Sequence, residues 1–167
     1  MHDELTKTDL EKMQAELDER RLKLMPELIE EVKRTRAFGD LSENYEYKAA
    51  KQAQNRNRSR IRYLERMIAS ARVIEDRSAA DEVGLYDRVE VRMEATGQTQ
   101  TLRVVTTVRT DPLHGLVSKE SPLGMALLGR RVGDTATVQV NEGFSYYITV
   151  LSLEKGQDDG SAALLQY

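Results

Sequence analysis

The stretch Gly39-Asp40-Leu41-Ser42-Glu43-Asn44 lies between two long helical patterns and predicts where the chain reverses direction. Gly39 is the kind of residue that ends a helix in a left-handed conformation. Asp40 is a good N-cap for the next helix, and Glu43 follows it at the capping-box spacing. We therefore expect two helices that fold back on each other around a turn that carries two carboxylates.

Apolar residues recur three and four positions apart on both sides of this turn, which is the pattern of a buried helical stripe. The first pattern spans 8–37, with Thr8 as its N-cap and Glu11 three residues later, and the second spans 43–74 as a heptad seam. The first seam comprises Leu10, Met13, Leu17, Leu24, Leu28 and Val32, and the second comprises Tyr47, Ala50, Gln54, Asn57, Ile61, Leu64, Ile68 and Ala71. The sequence therefore predicts a long antiparallel coiled-coil hairpin whose seam is apolar at the ends and polar in the middle.

Pro26 interrupts the first helical pattern. Inside a helix, proline removes the bond to the carbonyl four residues earlier and costs about 3 kcal/mol unless the helix bends or ends there. Because the apolar spacing continues beyond the proline, we expect a kink near Met25-Pro26. Two separate helices joined by a tight corner are the alternative.

The second half of the chain has the composition of a small β domain. Nine of the ten glycines lie in 77–167, among β-branched residues that alternate with polar ones. We expect strands over 87–93, 99–108, 113–118, 135–140 and 144–153. Ser121 is expected to cap a short helix that has Pro122 at its first position.

The predicted fold class is therefore α+β, with a coiled-coil hairpin followed by a small antiparallel β domain that carries one short helix. The predicted divisions are a coiled-coil finger over 1–76, a linker over 77–80, the β domain over 81–154 and a flexible polar tail over 155–167. The boundary is placed where charged, glycine-poor sequence gives way to glycine-rich sequence.

Composition excludes several classes of protein. The net charge of −3 provides no global basic footprint for sequence-independent binding to nucleic acid. The absence of Cys excludes disulfides, thiolate nucleophiles and cysteine-based zinc sites, and the two His residues are too far apart in sequence to indicate a transition-metal site. The polar N-terminus and the lack of an apolar run near 20 residues, about what a bilayer requires, predict a cytoplasmic protein without membrane association.

Three stretches of the chain carry a resemblance to a known family. They are Gly39–Lys51, then Arg60–Glu65 with Ala71–Ile74, and finally Ser118–Gly129 followed by Val132-Gly133-Asp134. In this order and at these distances they resemble the bacterial Gre transcript-cleavage factors of the GreA/GreB type, over nearly the whole chain apart from the tail. The resemblance implies that the hairpin is a finger and that the C-terminal domain is similar to the FKBP fold.

The resemblance also implies a function in transcription elongation. The C-terminal domain would dock at the largest-subunit rim of the RNA polymerase secondary channel, and the finger would enter that channel. The polymerase would then cleave the 3′ end of its own backtracked nascent RNA and restart, so that the chain, expected to be a monomer, is a cofactor of the reaction and no enzyme itself.

Asp40 and Glu43 match the two acidic tip residues of the family, which help to hold the second Mg²⁺ of the polymerase and orient the attacking water. Two carboxylates suffice for such an ion only when phosphate, water and polymerase provide the other ligands. We therefore expect no cofactor of the chain's own and no appreciable metal binding by the free protein. Ser42, Asn44 and Tyr45 are expected to support the tip.

Further contact residues are expected on the second helix and in the β domain. Lys51, Arg58 and Arg62 fall on one helix face and are candidates for contact with RNA phosphates. The alternative is a solvated face paired across the hairpin with the carboxylates of Glu27, Glu30 and Glu31. The candidates for docking on the polymerase are Ser121, Pro122 and Leu123.

Alternative interpretations remain open for the tip and for the whole chain. The spacing of Asp40 and Glu43 is explained equally by a capping box. Tyr45, where the family commonly has a small residue, either stacks on a base or is simply exposed. A channel-binding paralogue that inhibits or modulates the polymerase, and a coiled-coil adaptor or holdase chaperone, are the competing functions.

Overall fold

A computed structural model of the chain describes residues 3–39 and 44–166. The described residues form two compact units. The first is built around Leu10–Arg72, and the second comprises Glu4–Asp9 together with Val73–Gln166. The fold class is α+β, as predicted, with a helical N-terminal region and a C-terminal sheet.

The first unit is a helical hairpin. Its helices are α1 (Lys7–Glu19), a π-helical segment (Arg20–Leu24), α2 (Met25–Arg36) and α3 (Tyr45–Ser70). The first three run on without a break, because the backbone keeps right-handed helical dihedrals through Glu19, Leu24 and Met25. The second helix is shorter than predicted at both ends, since α3 begins at Tyr45 and ends at Ser70.

The irregularity predicted at Pro26 takes the form of the π-helical segment. Met25 donates its N–H to the carbonyl of Arg20, five residues earlier. This wider turn comes directly before the proline, which lacks an N–H of its own. The alternative of two separate helices with a tight corner is wrong, because the helical backbone continues through this region.

The buried seam of the hairpin agrees with the prediction at most of the positions that lie in the described helices. Met13, Leu17 and Val32 are buried on the first arm, and the buried residues of α3 are Ala50, Gln54, Asn57, Arg60, Leu64 and Met67. Arg60 and Met67 are buried where the heptad pattern predicted Ile61 and Ile68. An α-helix turns every 3.6 residues and drifts away from a strict seven-residue repeat, so the neighbouring residues replace the predicted ones.

The first helix begins with a capping box, but two residues earlier than predicted. Thr6 Oγ1 accepts the N–H of Asp9 at 3.2 Å, and Asp9 Oδ2 accepts the N–H of Thr6 at 2.8 Å. The assignment of Thr8 and Glu11 is therefore wrong. Thr6 and Asp9 have the same spacing as Thr8 and Glu11, so spacing alone does not distinguish the two pairs. The carboxylate of Asp9 is buried in the second unit and also binds Arg109, which favours the first pair.

A five-stranded sheet forms the second unit. Short strands β1 (Glu4–Leu5) and β2 (Arg72–Val73) precede it in the chain, and its own strands are β3 (Arg88–Met93), β4 (Thr99–Val105), β5 (Leu116–Ser118), β6 (Thr135–Asn141) and β7 (Phe144–Glu154). The strand order is β5-β4-β3-β7-β6. The β3–β4 and β6–β7 hairpins turn where the sequence predicts them, and helix α4 (Pro122–Leu127) lies between β5 and β6 in the chain.

One pairing differs from the all-antiparallel sheet that the sequence suggests. Strand β5 pairs with β4 in parallel, with Arg103 opposite Leu116. Two turns of 3₁₀ helix lie in the connection that brings the chain back alongside the second half of β4. Gly115 completes this return at φ +73°, and a Cβ at this position would lie 2.7 Å from the carbonyl oxygen of Thr101. A side chain here would therefore clash with the neighbouring strand.

The core of the second unit lies between one face of this sheet and α4. Its buried residues are Val83, Leu85, Tyr86, Val89, Val91, Leu102, Val104, Val105, Ala126, Leu127, Ala136, Val138, Ile148 and Val150. Every strand of the sheet except the short β5 contributes residues to this core. The β-branched residues that alternate with polar ones in the sequence therefore lie on the buried face of the sheet.

The C-terminal tail is held against the second unit, where the sequence predicts that it frays. The guanidinium of Arg109, which is fully buried, donates to both carboxylate oxygens of Asp158 at 2.7 and 2.8 Å and to Asp9 Oδ1 at 3.1 Å. It also donates to the carbonyl of Ala162 at 2.5 Å. Burial disfavours its charge, but the bonds to Asp158 outweigh this effect and raise the pKa of Arg109 above its usual value. A polar tail is thus ordered by one buried cation.

We predict that Arg109→Met lowers the free energy of unfolding by about 3–5 kcal/mol, because it leaves buried carboxylates without their cation. Urea unfolding followed by circular dichroism measures the change. The matched control is Arg131→Met, which breaks an exposed pair with Asp81 and Glu82 and should cost less than about 1 kcal/mol. Equal losses in the two variants would contradict the assigned role of Arg109.

Candidate functional site

The tip of the hairpin is closed by the side chain of Asn44. Its Nδ2 donates to the carbonyl oxygen of Thr35 at 2.6 Å, and its Oδ1 accepts the N–H of Tyr47 at 3.0 Å. The same Thr35 oxygen also accepts the N–H of Phe38 at 3.2 Å. One amide therefore caps the start of α3 and ties it to the end of α2.

This geometry corrects the predicted capping box. The N-cap of α3 is Asn44, in an extended conformation, and the helix begins at Tyr45. The capping role predicted for Asp40 and Glu43 therefore belongs to Asn44. Asp40, Ser42 and Glu43 themselves lie outside the described residues. With Asn44 at the N-cap of α3, Asp40 and Glu43 are not the N-cap and third residue of this helix.

Gly39 leads the chain out of α2 with φ +111°. A Cβ at this position would have no heavy atom within 4 Å. This position therefore requires glycine because residues with a side chain rarely adopt this backbone conformation. Steric clash with neighbouring atoms is not the reason. The prediction that a positive-φ glycine follows the first arm is confirmed.

Aromatic and cationic side chains surround the two ends of the tip. Arg36 Nη2 donates to the hydroxyl of Tyr47 at 3.3 Å, and its guanidinium carbon lies 5.6 Å from the ring centroid. This hydrogen bond lowers the pKa of Tyr47 below its usual value. Phe38 and Tyr45 are exposed on either side of the turn.

A partly buried polar network crosses the middle of the hairpin, where the sequence predicts a polar seam without naming partners. Arg60 donates to both oxygens of Glu16 at 2.7 and 3.2 Å, and Arg20 donates to Glu16 at 2.8 Å. Arg20 also donates to Asn57 Oδ1 at 3.0 Å. Sequence reasoning missed Arg60 and Glu16, although a cation at a seam position is a signal that a partner is needed.

The three predicted RNA-contact residues lie on one face of α3. Arg58 and Arg62 are exposed and Lys51 is half-buried. Within the described part of the chain, none of the three forms an ion pair; Lys51 Nζ contacts Gln54 and Arg62 contacts Ser59. The alternative pairing with acidic residues of α2 is not formed, because Glu30 and Glu31 pair within their own helix.

In that helix Glu30 binds Lys33 and Glu31 binds Arg34. No pair between Glu27 and the three cations of α3 occurs among residues 3–39 and 44–166. The Arg34 guanidinium, through its hydrogen bond, lowers the pKa of Glu31. Lys51, Arg58 and Arg62 thus form no ion pair with the acidic residues of α2 in the described part of the chain.

The docking candidates form the start of α4. Ser121 is its N-cap, because Oγ accepts the N–H of Gly124 at 3.0 Å, and Pro122 follows at the first position, as predicted. Leu123 packs against the core of the second unit, which leaves Met125, 62% exposed, as the open apolar side chain of this helix. Of the three candidates, Ser121 therefore caps the helix and Leu123 packs on the core, so both have structural roles.

The described residues contain no cluster of three or more His, Cys, Asp or Glu that could hold a metal ion. Over 3–39 and 44–166, no helix combines the length and apolar character needed to cross a membrane.

Two family models match the chain in order. Residues 4–73 match the model described as "Transcription elongation factor, N-terminal". Residues 78–155 match "Transcription elongation factor, GreA/GreB, C-term". The chain belongs to the GreA/GreB family of transcription elongation factors. The first match contains the hairpin with its acidic tip, and the second ends where the tail begins.

Relatives within the GreA/GreB family span nearly the whole chain. Transcription elongation factor GreA of Thermotoga maritima is 40% identical over 151 residues, which are 90% of this chain and 97% of the relative. Its counterpart in Streptococcus sanguinis is 39% identical over 152 residues, 90% of this chain and 94% of the relative.

Among solved structures, GreA factor homolog 1 (Gfh1) of Thermus thermophilus is 26% identical, with 93% of this chain and 100% of that chain covered and a TM-score of 0.43. The family assignment therefore rests on the sequence matches.

We predict that two replacements of Asn44 separate its two hydrogen bonds. Asn44→Ala removes the acceptor for the Tyr47 N–H and should cost about 1 kcal/mol of stability. Asn44→Asp keeps this acceptor and loses only the donor to Thr35. Amide hydrogen exchange should therefore be faster at Tyr47 in the alanine variant and unchanged in the aspartate variant. Equal exchange at Tyr47 in both would show that another group caps α3.

Proposed function

We propose that this GreA/GreB-family chain stimulates RNA polymerase to cleave its own backtracked nascent RNA, and that Asp40 and Glu43 are the residues that do so. The observation that carries this proposal is the cap formed by Asn44. Because Asn44 is the N-cap of α3, Asp40 and Glu43 do not hold the capping-box positions of that helix, and we assign them a role outside the chain. The GreA relatives, which match over 90% of the chain, support the same reading.

The proposed site is completed by the polymerase. Carboxylate oxygens are the ligands that Mg²⁺ prefers, and two of them are fewer than its six-coordinate shell requires. A second metal ion in the polymerase active site, when bound, would polarise the scissile phosphate and activate a water molecule. Asp40 and Glu43 would provide oxygen ligands and orient the water, while RNA and polymerase would provide the rest. The chain is thus a cofactor of the reaction and the catalyst is the polymerase.

The geometry of the hairpin supports this role. The tie between Asn44 and Thr35 holds the two ends of the turn together, so that both carboxylates belong to a short segment of fixed span. A ligand that must meet a metal ion needs such a support, because small displacements weaken coordination. We propose that the hairpin enters the secondary channel tip first and that the second unit docks at its rim.

We predict that Asp40→Asn and Glu43→Gln each lower the rate of transcript cleavage at least about tenfold, the effect typical even of indirect metal partners. The assay uses purified RNA polymerase stalled in a backtracked complex with 3′-labelled RNA. Because Asn44 is the cap, circular dichroism should give unchanged helicity for both variants. Glu46→Gln, which neutralises an exposed carboxylate in the first turn of α3, is the matched control and should cleave like the wild type.

Three results would contradict the proposal in different ways. Loss of cleavage together with loss of helicity would indicate that both carboxylates have a structural role. Failure of the wild type to release RNA, while it competes with an active cleavage factor, would indicate an inhibitory paralogue. Failure to bind polymerase at all would exclude the secondary channel as the site of action.

We predict further that Lys51, Arg58 and Arg62 bind the phosphates of the extruded RNA. Replacing each by Gln should weaken binding to the stalled complex and lower the slope of log affinity against log salt by about 0.7 per lost phosphate contact. Lys33→Gln is the control, because this exposed cation of α2 is paired with Glu30. A salt dependence that stays unchanged in all three variants would exclude phosphate contacts.

A further inference from the structure

Two aromatic rings stand exposed at the ends of the tip. Tyr45 is 80% exposed and Phe38 is 56% exposed. Aromatic side chains normally contribute by burial, and rings this open contribute little to the fold. The two residues lie near each other in the turn. The backbone N–H of Phe38 and the side-chain amide of Asn44, which directly precedes Tyr45, both donate to the carbonyl oxygen of Thr35.

Each ring lies beside a cation: Lys48 of α3 for Tyr45, and Arg34 of α2 for Phe38, which follows the end of that helix. Lys48 Nζ lies 5.5 Å from the centroid of Tyr45, and the guanidinium carbon of Arg34 lies 5.1 Å from the centroid of Phe38. A cation at this distance is attracted to the ring and favours one orientation of it. The exposed surface that remains is a preformed platform for another flat group.

We propose that Tyr45 binds an unpaired base of the extruded RNA by stacking, with Phe38 as a second platform on the other side of the tip. This inference rests on the proposed function and identifies the ligand of the tip as single-stranded RNA. Stacking on aromatic side chains accepts any base, because every base has a π-face. Such a contact suits a transcript whose sequence is arbitrary.

The position of Tyr45 on α3 favours RNA over a protein surface. Tyr45, Lys48 and Lys51 succeed one another at steps of three residues, so that their side chains are neighbours along one ridge of the helix. The ring is followed by two cations, and the second belongs to the basic face of α3. A strand that stacks a base on Tyr45 can therefore place its phosphates against Lys48 and Lys51.

The test is the binding of fluorescently labelled chain to RNA polymerase stalled with a backtracked transcript, which does not depend on cleavage. Tyr45→Leu keeps an apolar side chain but removes the π-face, and should weaken binding roughly tenfold. Tyr45→Phe keeps the ring and should bind like the wild type. Tyr147→Leu, which changes an exposed tyrosine of β7, is the control and should also bind like the wild type. Phe38→Leu is measured in the same way.

A second arm replaces the extruded 3′ nucleotides of the transcript by abasic ones. If Tyr45 stacks on a base, the abasic transcript weakens wild-type binding and abolishes the difference between the wild type and Tyr45→Leu. An equal loss on both transcripts would mean that the ring contacts polymerase protein, and would overturn the proposal. Tyr45→Leu that binds like the wild type on the normal transcript would also overturn it. Neither result would change the interpretation of the cleavage assay with the Asp40 and Glu43 variants. A wild type that neither binds nor cleaves would instead overturn the proposed function itself.

Discussion

The hydrogen bond from Asn44 to the carbonyl oxygen of Thr35 is the constraint on which the hairpin depends. The last carbonyls of one helix and the first N–H groups of the next lack partners within their helices. Asn44 serves both ends at once, because its amide has a donor and an acceptor. It binds Thr35 at the end of α2 and the Tyr47 N–H at the start of α3. The segment that carries the two carboxylates is held between these two points.

Further from the tip, the register of the two arms is set by charge as well as by apolar packing. Glu16 is shared by Arg20 and Arg60, and Arg60 is almost completely buried. A buried cation is costly without a partner, so a shifted register would leave Arg60 unpaired. An apolar seam alone tolerates such shifts more easily, since one methyl group replaces another. The polar middle of the hairpin therefore contributes specificity of pairing.

The same physical rule organises the second unit around Arg109. Its guanidinium joins Asp9, one hundred residues earlier, to Asp158 in the tail. The tail lies beyond the family model that ends at residue 155, yet it is ordered, because a buried guanidinium with five donors requires several acceptors. Polar composition predicts a frayed end only when the polar groups have no buried partner. Here Asp158 and the carbonyl of Ala162 are such partners.

The sequence by itself determined the features that depend on neighbouring residues. The spacing of apolar residues, the glycine at position 39 and the Ser121-Pro122 helix start are local, and the structure has all three. Tertiary structure decided between local signals of equal strength. Asp40 and Asn44 are equally good caps, and Asn44 is used because its amide also reaches a carbonyl on the other arm. The parallel pairing of β5 and the partners of Arg109 join residues far apart in the chain, and no local pattern encodes them, because contact between distant residues is set by the packing of the whole core.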